Sequence, residues 1–98
     1  MATFVATLRF TEQGIREVAK TTRRAGALKG AAKKLGIKVN TILWTLGAFD
    51  GLLVFEATDD ESATALMLQL GALGNVQTTT TRAFNAAEMD KILAMKGS

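Results

Sequence analysis

Apolar and polar positions change period several times along the chain, and each change marks an element. Phe4, Ala6, Leu8 and Phe10 alternate with Val5, Thr7 and Arg9, which is the period of a strand. Thr11 then offers a helix N-cap, with Glu12 in the first turn where the helix dipole favours a negative charge. Ile15, Val18, Thr22, Ala25, Leu28, Ala32 and Leu35 recur at steps of three and four, so one helix with one apolar stripe is expected as far as Gly36. Ile37 to Leu46 reads as a second strand and Leu52 to Ala57 as a third, joined by a glycine-bracketed turn from Gly47 to Gly51.

Asp59 and Asp60 are placed to cap a second long helix, whose inward stripe is Ala63, Leu66, Met67, Leu70 and Leu73. Gly74-Asn75 stops it, and the threonine-rich run from Val76 to Phe84 is a fourth strand. Asn85 and Glu88 have the spacing of a capping box. They open a final helix with Met89, Ile92 and Leu93 expected inward.

The order βαββαβ plus a terminal helix is an α+β, ferredoxin-like arrangement filling residues 1–98 as a single domain. Right-handed crossovers then give an antiparallel sheet in the order 4-1-3-2, with both long helices on one face. Both parity sets of strand residues are largely apolar. One set holds Val5, Val39, Leu52 and Val54, and the second sheet face therefore needs cover. The expected cover is the same face of another subunit, making a dimeric α/β barrel.

Composition narrows the chemistry more than the fold. The chain has no histidine, cysteine, tyrosine or proline. Disulfides, thiol nucleophiles, Ser-His-Asp and Cys-His mechanisms and the commonest zinc ligands are thereby excluded. No metal site and no cofactor is expected, and the balance leans away from an enzyme. Met1-Ala2-Thr3-Phe4 lacks the basic start and long apolar stretch of an export signal, and no run of about 18 apolar residues occurs. A cytoplasmic protein with no membrane partner is expected.

Charge is unevenly spread. Residues 1–50 carry nine Lys/Arg and three Asp/Glu, and residues 51–98 carry three and six. Arg16, Lys20, Arg23, Arg24 and Lys34 fall on one side of the first helix pattern. No aromatic residue is interleaved among them and no nucleic-acid motif is present, so a solvated face is expected rather than a nucleic-acid partner. The run Thr78 to Thr81 alternates between sheet faces and cannot form one phosphate cradle.

Five residues stand out as candidates for binding or for an interface. Asp50 is the one carboxylate in the hairpin. It can accept hydrogen bonds at a pocket mouth, with Trp44 or Phe49 as an apolar wall, or accept backbone N–H bonds in its own turn, which is the simpler role. Trp44 is expected in core or interface packing. Glu56 and Arg82 lie near the ends of the third and fourth strands, at the same end of the sheet. If both point to the helix-free face they form an ion pair that fixes dimer register, or a small-anion site.

Several fragments in order give the chain a specific resemblance. They are Phe10-Thr11-Glu12-Gln13-Gly14-Ile15, Trp44-Thr45-Leu46-Gly47, Phe49-Asp50, Glu56-Ala57 with Asp59-Asp60-Glu61, Gly71-Ala72-Leu73-Gly74-Asn75-Val76 and Arg82-Ala83-Phe84. Together they make the chain resemble the GYD-domain family almost end to end. The family's Gly/Tyr/Asp turn has Phe49 at the tyrosine position here, which removes a phenol. The resemblance implies a ferredoxin-like, dimer-forming fold and no established activity, cofactor or catalytic set. Three roles follow as expectations. The first is a homo-oligomeric module that binds or senses a small organic or anionic ligand, with the pocket between the sheets of two subunits. The others are a cofactor-free enzyme of the monooxygenase or isomerase kind found on dimeric α/β barrels, and a purely structural self-assembling component.

Overall fold

The computed structural model describes residues 1–97. Four strands, β1 (Ala2–Phe10), β2 (Lys38–Trp44), β3 (Gly51–Ala57) and β4 (Val76–Ala83), form one antiparallel sheet in the order β2-β3-β1-β4. This is the expected order, read from the other edge. The helices are α1 (Glu12–Arg16), α2 (Thr21–Lys34), α3 (Asp60–Ala72) and α4 (Ala86–Lys96). Alternation in β1 and β3 decides which sheet face is buried. Phe4 and Ala6 stand opposite Phe55 and Leu53, and these four, with Ala57, meet Ala32 of α2 and Ala63 and Leu66 of α3. The Phe4 and Phe55 rings stack with centroids 5.4 Å apart at the centre of this core.

The single first helix does not form. The chain breaks at Glu17 (φ −107°, ψ 28°) into α1, a 3₁₀ turn over Val18–Lys20, and α2. Ile15 and Val18 consequently leave the stripe and are exposed. The break accompanies a close approach. Gly14 is buried against the turn after α3, where a Cβ would lie 1.9 Å from the Asn75 carbonyl oxygen. Arg24 of α2 donates to the carbonyls of Glu17 (3.0 Å) and Gly14 (3.4 Å), occupying acceptors left free at the break.

Two further differences concern faces. A bulge between Val39 and Thr41 lets Val39 pair with Phe55 on the helix side while Thr41 pairs with Val54 on the bare side. Val39 therefore joins the core and not the bare face. The bare face keeps an apolar strip of Leu43, Leu52, Val54 and Val5, flanked by Thr7, Thr79 and Thr81. Leu73, at the cap of α3, is exposed.

The last helix starts as expected. Asn85 accepts from Glu88 N–H (2.8 Å), and the Glu88 carboxylate accepts from Asn85 N–H (2.9 Å). Its apolar side is not inward, because α4 projects past the sheet and barely touches the other elements. Met89 and Leu93 are 44% and 49% exposed, and Ile92 is half-buried. Helix spacing placed these residues on one side but could not say whether the chain would turn back to cover them.

Candidate functional site

A cleft opens between α2 and α3 at the end of the sheet where β1 finishes and β3 and β4 begin. Its volume is about 570 Å³, and its walls are mostly apolar. Leu8 and Phe10 form the floor, Ala27, Leu28 and Ala31 line the α2 side, and Leu66, Leu70 and Leu73 line the α3 side. Thr21, Arg24, Asp50, Gln69 and Asn75 are the polar residues at its margins. A space of this size with few polar groups matches the usual make-up of small-molecule sites.

Two of the sequence candidates meet here. Asp50 Oδ2 accepts the Phe10 backbone N–H at 2.8 Å, while Asp50 N–H donates to the Leu8 carbonyl at 2.8 Å. The carboxylate thus prolongs the β1–β3 ladder beyond Gly51 instead of serving N–H groups of its own turn. Its Oδ1 has no protein donor among the described residues, and Asp50 is part of the cleft lining. Trp44 closes the β2 side. Its indole N–H donates to Thr21 Oγ1 (2.9 Å), pinning the ring between the sheet edge and the start of α2. Phe49 is half-buried outside the lining, and its carbonyl accepts from Thr45 Oγ1 (2.6 Å) within the hairpin loop.

Glu56 and Arg82 do not form a pair. Glu56 stands opposite Thr3, as does Ala83 on the other side of β1, so Glu56 and Ala83 share the bare face. Arg82 stands opposite Phe4 and lies on the helix side. One position of parity separates the expectation from the fold, and the threonine run before Arg82 has no apolar alternation to reveal it. Arg82 has a different set of partners. Its guanidinium lies 4.5 Å from the Phe84 ring centroid and 5.7 Å from that of Phe4. It donates to the carbonyls of Thr3 (3.3 Å) and Ala83, and it meets Glu88 of α4 at 3.7 Å. These contacts anchor the root of α4.

The polar knot beside the cleft was not singled out from the sequence. Thr11 N–H donates to the Asn75 carbonyl (3.0 Å) and Thr11 Oγ1 to the Gly74 carbonyl (2.6 Å). Gln13 Nε2 donates to the Leu73 carbonyl (3.1 Å) and to Asn75 Oδ1 (2.9 Å). Gly74 takes φ +83°, a region that favours glycine. This knot locks the β1–α1 junction to the α3–β4 turn and fixes one wall of the cleft. Its residues all fall within two of the fragments that carry the family resemblance, which was the available signal. Elsewhere, Asp59 caps α3 by accepting from Ser62 N–H (2.7 Å), and this bond holds its carboxyl below the usual aspartate range.

Among the described residues, no three His, Cys, Asp or Glu side chains cluster as metal ligands would, and no helix is long and apolar enough to cross a membrane. Among solved structures, the chain resembles an ACT domain protein from Streptococcus pneumoniae. Identity is 20%, the match covers 85% of this chain and 90% of that chain, and the TM-score is 0.47. Comparison with curated proteins finds no match. The family model described as "GYD domain" matches residues 4–93, the span that holds the sheet, the knot and the cleft. The chain belongs to the GYD domain family.

Proposed function

We propose that the protein is a self-associating module that binds a small, largely apolar ligand in the cleft between α2 and α3. The cleft itself carries this reading. A wall of Leu, Ala and Phe side chains rewards burial of an apolar body at about 25 cal/mol per Å². The free Oδ1 of Asp50 asks for one hydroxyl, amide or ammonium donor. An apolar body with a donor head is therefore favoured over an anion, because Asp50 would repel the anion and Arg24, the cation of the lining, already donates to the Glu17 and Gly14 carbonyls. Self-association has separate support in surface area. The chain exposes 6547 Å², where a compact monomer of 10.4 kDa would expose about 5,400 Å².

The test uses N-phenyl-1-naphthylamine, a neutral dye with an apolar body and one N–H donor. Wild-type protein should enhance its fluorescence saturably, at one dye per chain. Ala27→Trp, which fills the cleft from an exposed position on α2, should weaken binding at least about tenfold. Absence of saturable binding, or binding that Ala27→Trp leaves unchanged, rejects the reading.

A further inference from the structure

Besides the strip of Leu43, Leu52, Val54 and Val5 on the bare sheet face, exposed apolar side chains gather at two opposite ends of this chain. At one end, Trp44, Leu46 and Leu73 are exposed around the cleft mouth. At the other, Met89, Leu93 and Met95 are exposed along α4, which is rooted beside Thr3 and Ala83, the far end of the sheet from Phe10 and Val76. The molecule measures 52 × 31 × 18 Å, and its radius of gyration is 14.9 Å, against about 13 Å for a compact domain of this length. An arm on one end and a socket on the other cannot meet within one chain. They can meet between two chains related by a two-fold axis across the strands, because that axis lays each arm beside the other copy's cleft.

We infer that α4 is a lid supplied in trans: in a two-fold dimer, the Met89–Leu93 side of each arm covers the cleft mouth of the second copy. The inference rests on the ligand-binding and self-association reading above and adds the residues that complete the site. Three observations converge on it. The surface excess over a compact monomer is roughly 1,100 Å² per chain, comparable to the ~800 Å² that each partner buries in a standard-size interface. The arm is also held in direction before it meets a partner. The Asn85–Glu88 capping box, the Arg82–Glu88 ion pair and the stacking of Arg82 on Phe84 fix its first turn, so docking orders few new degrees of freedom. Lastly, Met89 and Leu93, four residues apart, make the anchor spacing with which an amphipathic helix seats on a groove. The exchange is reciprocal, so the assembly closes at two copies and does not propagate as a fibre.

The test compares wild type with Met89→Glu/Leu93→Glu. Both positions are exposed in the single chain, so circular dichroism should be unchanged. The dimer dissociation constant, measured by light scattering across a dilution series, should rise about 100-fold or more, and affinity for N-phenyl-1-naphthylamine should fall at least about tenfold. The chain has no native cysteine, so Leu93→Cys carrying benzophenone-4-maleimide reports where the arm sits. Mixed with isotopically heavy wild type and irradiated, it should cross-link to heavy-chain peptides around Thr21–Leu28 or Gln69–Val76. Cross-links confined to its own chain, or to the bare sheet face of the other copy, overturn the inference, as does an unchanged dimer in the double glutamate variant. If the dye binds wild type but the cross-links fall elsewhere, the lid fails and the ligand reading stands. If trans cross-links form at the cleft mouth but no dye binds, the ligand reading fails and the arm contact stands. A monomeric wild type removes both the lid and the self-association.

Discussion

The two ends of this sheet finish themselves in opposite ways. At the cleft end, Thr11, Gln13, Asn75 and Asp50 each direct polar atoms at the chain's own backbone or side chains, and the two helix walls are fixed within one copy. At the arm end, polar contacts stop at the root of α4 and the helix beyond carries uncovered Met and Leu. Hydrogen bonds are directional and can be satisfied locally, so they set shape without help. Apolar burial needs area, and an eleven-residue helix that leaves the sheet finds too little of it on its own chain. The locked end therefore holds the candidate site, and the unfinished end keeps its apolar side chains exposed.

The sharpest way to break this contrast is at Gly14. A methyl group there meets the Asn75 carbonyl oxygen at 1.9 Å, and the atoms it meets are backbone that cannot swing aside. Gly14→Ala should cost about 3 kcal/mol or more and lower Tm by at least about 10 °C in calorimetry. A near-neutral result would mean that the junction is not locked. Asp50→Ala removes the acceptor of the Phe10 N–H and should cost about 1–3 kcal/mol in denaturant unfolding. It should also weaken dye binding, whereas Phe49→Ala should leave the dye affinity unchanged because Phe49 lies outside the lining.

Smaller effects are expected at the arm. Asn85→Ala removes the cap and should cost about 1 kcal/mol, with its main readout a weaker dimer rather than an unfolded monomer. An equal loss of monomer stability at Asn85 and at Gly14 would erase the difference between the two ends. The smallest effect concerns pH. The Asp59 carboxyl is held below its usual range by the Ser62 N–H bond, so its stabilising contribution is full above the unfolded value. It is lost as the pH falls below about 4, through the folded value. Asp59→Asn should flatten that acid limb in pH-dependent melting and leave dimer affinity at neutral pH unchanged.

Strand identity, strand order and the three helix caps at Thr11, Asp59 and Asn85 followed from the sequence alone. They depend on period, on cap chemistry and on crossover handedness, all of which act within a few residues or within general rules of chain geometry. Asp50 and Trp44 were visible as unusual residues beside a turn, and a pocket mouth walled by Trp44 was one of two readings, but the helices that enclose the cleft were not legible. Tertiary contacts decided the rest. The close approach of Gly14 to Asn75 accompanies the break in the first helix, and the bulge beside Val39 sent that residue into the core. The register of β4 separated Arg82 from Glu56, since a one-residue step reverses the face of every side chain and four consecutive threonines carry no pattern to choose between the two. The uncovered side of α4 was settled in the same way, because spacing defines the apolar stripe of a helix but only the path of the whole chain determines what lies against it.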